Sequence, residues 1–231
     1  MEILLLLPAS LVFLYSLYRL VKDDYIFIRK GISLEQSFDI AFTCFWISLF
    51  FSRLVYLLFD LANHKNIFLD FFRLRNGGFS LTGLVIGGMI ALYIISKYKK
   101  LPLGRLGDFL SLSFLFALPV GFICNVVLVR KAALLHILLS SVLYFMLVIF
   151  FVQFLYPKLM SRTIREGTLA LLFVVFYSVI TIVTSVISSL KDIHAVINTQ
   201  NITLIILLIT SIILFMKVER PFSQNKRSLH R

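Results

Sequence analysis

A chain of 231 residues that is 60% hydrophobic and only 15% charged, with a mean hydropathy of +0.97, carries more apolar surface than a soluble core can hide, since soluble domains are roughly 45–50% apolar. Apolar runs of the length that crosses a bilayer core, about 20 helical residues, recur throughout and are apolar on every side, which excludes a β-barrel with its alternating strands. The net charge of +12 sits in short connectors between those runs with no aromatic-rich polar surface beside it, so it reads as membrane topology and not as a nucleic-acid footprint.

Taken in chain order, the apolar runs are Ile3–Leu20, Phe38–Asp60, Phe79–Ser96, Gly107–Val129, Ala132–Tyr156, Gly167–Leu190 and Asn201–Met216. The first lacks a basic leader and a small-residue cleavage site, and reads as a retained helix. Between the runs lie a polar connector, Val21–Ser37, a partly amphipathic stretch, Leu61–Gly78, and a basic turn, Lys97–Arg105, broken by Pro102. These features predict an all-α integral membrane protein of about seven transmembrane helices, with residues 1–231 forming one transmembrane domain that ends in a basic tail over 217–231.

Lys and Arg are in excess in cytoplasmic connectors. Placing the N-terminus outside puts the basic residues of Arg19–Lys30, Lys97–Arg105, Lys158–Arg165 and Lys217–Arg231 in the cytoplasm, against Lys65, Arg73, Arg75, Arg130, Lys131 and Lys191 outside. That orientation, with the C-terminus cytoplasmic, is the one expected. Arg53 is left over, inside a span, where an arginine costs about 2.5 kcal/mol or more unless it meets a partner, a cavity or a head group. Cys44 and Cys124 lie within apolar runs as small buried residues. The histidines lack metal-ligand spacing, so no metal or cofactor is expected.

The segment Asn76-Gly77-Gly78-Phe79-Ser80-Leu81-Thr82-Gly83-Leu84-Val85-Ile86-Gly87 sets a glycine pair and a small polar patch before a glycine-studded apolar helix. It resembles the prolipoprotein diacylglyceryl transferases, in which a glycine pair leads into Ser-Phe-His-Gly-Gly. Upstream, Ser52-Arg53-Leu54-Val55-Tyr56-Leu57-Leu58-Phe59 is similar to that family's Gly-Arg-x-Gly-Tyr-x-x-Phe helix end. Downstream, Lys99-Lys100-Leu101-Pro102, Leu106-Gly107-Asp108-Phe109 and Gly121-Phe122-Ile123-Cys124-Asn125 lie over its basic turn, its helix-opening Asp and its Gly-Arg-x-Gly-Asn-Phe signature.

The resemblance implies a multi-pass protein of the bacterial cytoplasmic membrane. It implies transfer of a diacylglyceryl group from phosphatidylglycerol to the cysteine thiol of a lipoprotein-precursor signal peptide, with no nucleic-acid partner. On that resemblance Arg53 and Arg130 are expected to bind the lipid phosphate, His136 to act as base, Tyr56 and Asn125 to donate hydrogen bonds, and Ser80 and Thr82 to meet the head group. The same comparison sets Thr82 at the family's histidine, Phe122 at an arginine, Cys124 at a glycine and Arg130 at a glutamate. The His-Pro-Ser-Gln-Leu-Tyr-Glu motif becomes Lys131–Ile137, and a later arginine and glutamate fall on Thr181 and Ser185. Against each role stands a plainer one. Glycines let membrane helices pack closely, hydroxyls bond their own backbone, Asn125 can glue helices, Arg53 can snorkel, and Asp108 can cap the helix it opens. Three functions therefore compete: an active transferase with a rearranged site, a non-catalytic phospholipid-binding relative, and an unrelated carrier or sensor. The last is disfavoured by the scarcity of intramembrane charge.

Overall fold

The computed structural model describes residues 2–22, 24–29, 32–59, 71, 78–126, 131–188 and 198–229, with side chains outside the description at 2–6, 131–136, 188 and 220–229. Nine α-helices are described: α1 Glu2–Lys22, α2 Tyr25–Arg29, α3 Leu34–Phe59, α4 Leu81–Lys99, α5 Leu103–Val126, α6 Lys131–Phe150, α7 Tyr156–Met160, α8 Thr168–Ser188 and α9 Thr199–Leu229. A π-helical turn, Phe151–Leu155, joins α6 to α7. No strand occurs among the described residues. Six stretches are long and apolar enough to cross a membrane: Leu34–Phe59, Leu81–Lys99, Leu103–Val126, Ile137–Met160, Thr168–Ile187 and Thr199–Glu219. They match six of the seven runs read from the sequence, and the seventh, Ile3–Leu20, coincides with α1. The protein is an all-helical, multi-pass membrane protein.

The chain packs as two compact units, Phe27–Leu103 and the remainder, Met1–Ile26 with Gly104–Arg231. In the first, α3 begins four residues before the expected Phe38 because Ser33 and Gln36 form a capping box. The Gln36 N–H donates to Ser33 Oγ at 3.1 Å, and the Ser33 N–H reaches back to Gln36 Oε1 at 3.4 Å. Helix α4 starts on Ser80, whose hydroxyl accepts from the Gly83 N–H. It ends on Lys100, in the left-handed region at φ 53°, with the Leu101 N–H and Ser96 hydroxyl closing the last turn before Pro102. Lys97 and Lys99 are therefore helical, and the turn is shorter than the nine residues expected. The two helices meet backbone to backbone: a Cβ on Gly83 would lie 2.8 Å from the Phe51 carbonyl oxygen and 2.9 Å from Ser52 Cα, and one on Gly87 3.0 Å from Ser48 Cα. Small residues at that spacing are what permit such an approach.

In the second unit, Asp24 caps α2 by accepting from the Ile26 N–H at 3.0 Å. The π-turn precedes Pro157, whose missing N–H and ring displace the regular ladder. Helix α7 closes with the Thr163 N–H donating to the Lys158 carbonyl and Arg162 at φ 56°. Helix α8 packs chiefly against α9. The latter does not stop at Met216: polarity ends the apolar span, while the helix runs on to Leu229. Residues expected to be a basic tail thus continue a helix, tied by Arg165 Nη1 donating to the Val218 carbonyl and the Thr168 hydroxyl donating to Glu219.

Candidate functional site

Four of the expected site residues belong to the unit Phe27–Leu103. Arg53, on the last third of α3, is only 4% exposed. Its Nη1 donates to the Gly78 carbonyl at 2.8 Å, and its guanidinium lies 5.6 Å from the Tyr56 ring centroid and 5.9 Å from that of Phe79. Rings at that distance attract a cation through their quadrupole. The side chain is held within its unit and does not snorkel to water.

Gly78 is in the left-handed region at φ +84°, and Ser80 begins α4 two residues later. Ser80 is clipped to α3 twice: its N–H donates to the Ser52 carbonyl at 3.1 Å, and the Ser52 hydroxyl donates to its carbonyl at 2.8 Å. With the hydroxyl of Ser80 serving as the N-cap, its described bonds all lie within the protein. Thr82, on the first turn of α4, is wholly buried. Tyr56 is half-buried beside Arg53.

Asn125 belongs to the other unit, exposed near the end of α5. Arg130 and the side chain of His136 fall outside the described residues, although the backbone of His136 is in the first part of α6. Two positions at which the resemblance places arginines, Phe122 and Thr181, converge on Tyr144. The Phe122 ring lies flat on Tyr144 with centroids 5.5 Å apart and planes at 8°, and Tyr144 in turn stacks on Tyr177 at 6.4 Å. The Tyr144 and Thr181 hydroxyls are 3.1 Å apart. Thr181 gives its one proton to the Tyr177 carbonyl at 2.8 Å, which leaves Tyr144 as donor between them. The seam is neutral, with Tyr144 and Tyr177 buried. Among the described residues no three His, Cys, Asp or Glu side chains gather to hold a metal ion.

The sequence model of the family described as prolipoprotein diacylglyceryl transferase matches residues 3–217. The chain belongs to this family. It is similar to the phosphatidylglycerol–prolipoprotein diacylglyceryl transferase of Clostridium kluyveri, 29% identical over 92 residues that make up 40% of this chain and 36% of that protein. It is similar also to a transferase of that name in Fusobacterium nucleatum, 28% identical over 124 residues, or 51% of this chain and 43% of the relative. A third, from Clostridium perfringens, is 28% identical over 93 residues, covering 40% and 35%. The matched stretches thus span less than half of each relative's length.

For a diacylglyceryl transferase family member, the buried polar residues that sequence reading passed over are as informative as those it found. Arg105, counted as a connector cation, is 4% exposed. It pairs with Asp24 through Nε at 3.1 Å and through Nη2, with the Phe109 ring 4.9 Å from its guanidinium. Asp108 does cap a helix, but not its own. It lies on the second turn of α5, and its two oxygens accept from the Gly167 and Ala170 N–H groups at 2.7 and 2.9 Å, closing the N-terminus of α8. Neither partnership is local in sequence: Asp24 and Arg105 are 81 residues apart, and Asp108 is 59 and 62 residues from Gly167 and Ala170.

Proposed function

We propose that this protein binds phosphatidylglycerol, with the Arg53 guanidinium at the lipid phosphate, and acts in transfer of its diacylglyceryl group to the cysteine thiol of a lipoprotein precursor. The observation that carries the reading is a guanidinium held inside an apolar helix pair, at the place where the resemblance sets a family arginine. Arginine's planar fork suits a phosphate, and a low-dielectric surrounding strengthens the bond. In the reaction the thiol sulfur bonds to the glyceryl carbon as the carbon–oxygen bond to phosphate breaks; glycerol phosphate leaves with the electron pair, and the thiol proton passes to a base. In this reading His136 is that base, Arg130 the second cation, and Tyr56 and Asn125 hydrogen-bond donors to the leaving group. Ser80 and Thr82 shape the head-group end of α4, and residues 1–231 work as one membrane domain. Membranes carrying the protein should transfer labelled diacylglycerol from phosphatidylglycerol to a lipobox peptide, and Arg53→Ala should abolish it. Absence of transfer above a membrane lacking the protein would overturn the catalytic part.

A second reading is favoured by the neutral seam Phe122–Tyr144–Thr181. Loss of one charged donor from a preorganised site lowers turnover by about 10²–10³, and two such positions here carry a phenyl ring and a hydroxyl. On this reading the protein binds phospholipid without turning it over. It should purify with phosphatidylglycerol that excess lipid exchanges, while the transfer assay stays silent.

A further inference from the structure

We infer that Ser52, Gly78 and Ser80 are positioning residues that aim the Arg53 guanidinium, an inference that rests on Arg53 being the lipid-phosphate ligand. Arginine's side chain is long and rotamer-rich, and a free one on α3 would sample several directions. Three features remove that freedom. The reciprocal pair between Ser52 and Ser80 clips the start of α4 to the turn of α3 that carries Arg53. The clip fixes the backbone two residues upstream, where the Gly78 carbonyl takes Nη1 at 2.8 Å. Gly78 then leaves the space the guanidinium and its flanking ring occupy: a Cβ there would stand 2.4 Å from Tyr56 Cε1 and 2.6 Å from Arg53 Nη1. At φ +84° that position also favours glycine on backbone grounds. Gly78 therefore contributes a carbonyl, a backbone conformation and an absence of side chain, all converging on one cation.

The test uses the purified full chain in neutral detergent, titrated with phosphatidylglycerol against a phosphatidylcholine control. The variants are Ser52→Ala, Gly78→Ala and Arg53→Ala, and the first two again in the Arg53→Ala background. Each positioning variant is expected to weaken phosphatidylglycerol binding about tenfold, the order expected for a lost hydrogen bond to a charged group. Neither should weaken it further once Arg53 is gone, because both act through that side chain. Wild-type affinity in Ser52→Ala and Gly78→Ala, or losses that persist undiminished without Arg53, would overturn the inference while leaving Arg53 as ligand. Wild-type binding by Arg53→Ala alone would instead remove the lipid reading and the inference with it. If Gly78→Ala does not fold, the Ser52→Ala pair decides the matter.

Discussion

Asp24 and Arg105, 81 residues apart, join the two points at which the chain leaves and re-enters the larger unit. Asp24 lies two residues before Ile26, where the first segment of that unit ends, and Arg105 follows Gly104, where the second begins. The ion pair therefore joins the two chain segments of the larger unit, close to where one ends and the other begins. Removing the arginine takes the cation from a buried carboxylate that keeps its bond from the Ile26 N–H, so Arg105→Ala is expected to destabilise the protein by about 3 kcal/mol. Asp24→Asn combined with Arg105→Gln should recover part of that loss. Denaturation of the detergent-solubilised protein checks the cycle, and strictly additive effects would show the pair is uncoupled.

The cap that Asp108 lends to α8 gives a local prediction. Asp108→Ala leaves the Gly167 and Ala170 N–H groups without their partner, at a cost of about 2 kcal/mol. Hydrogen exchange should quicken at residues 167–170 more than in the middle of α8. Uniform protection along the helix would show that another group closes its first turn.

Close packing of α3 on α4 is tested by adding bulk. Gly83→Val places carbon against the Phe51 carbonyl and Ser52 Cα, backbone atoms that cannot rotate aside, so a loss of about 1–3 kcal/mol is expected. Gly88→Ala, where an added Cβ would meet, among the described residues, only the Ser48 hydroxyl at 3.2 Å, should fall nearer to neutral. Equal effects at the two glycines would argue against the close approach.

Orientation follows from charge and can be read by labelling. In a variant lacking Cys44 and Cys124, a cysteine at Ser161 should react with a membrane-impermeant maleimide only after the cytoplasmic face is opened, and one at Thr199 in intact cells. The reverse pattern would invert the topology.

Much of the fold was legible because apolar length alone marks a membrane helix, and five of the six apolar helices matched run within a few residues of their expected ends. Boundaries set by specific bonds were less so. The Ser33–Gln36 capping box was visible as Ser-x-x-Gln, yet the polar first turn of α3 resembled a connector. The continuation of α9 beyond Met216 was hidden because hydropathy reports where lipid ends and not where helix ends. At the candidate site, Arg53 was found because a cation in an apolar run stands out. Its partner was not, since Gly78 acts through a carbonyl and an empty volume. Asp108 was recognised as a cap but given to the nearest helix, because sequence shows only local neighbours. Arg105 merged with the basic residues around it, and nothing in its spacing distinguished the buried cation from the exposed ones.

The stack of Phe122 on Tyr144, with its bond to Thr181, also constrains which side chains the seam accepts. A guanidinium at 122 would put a cation where a phenyl ring lies flat on Tyr144, beside a Tyr144 hydroxyl already bonded to Thr181. A cation at 181 would take away the acceptor of the Tyr144 hydroxyl. Either substitution alone is expected to lower stability, because it removes a contact that its neighbours now use. The seam is thus a mutual fit of neutral groups that resists the charges the resemblance would place there.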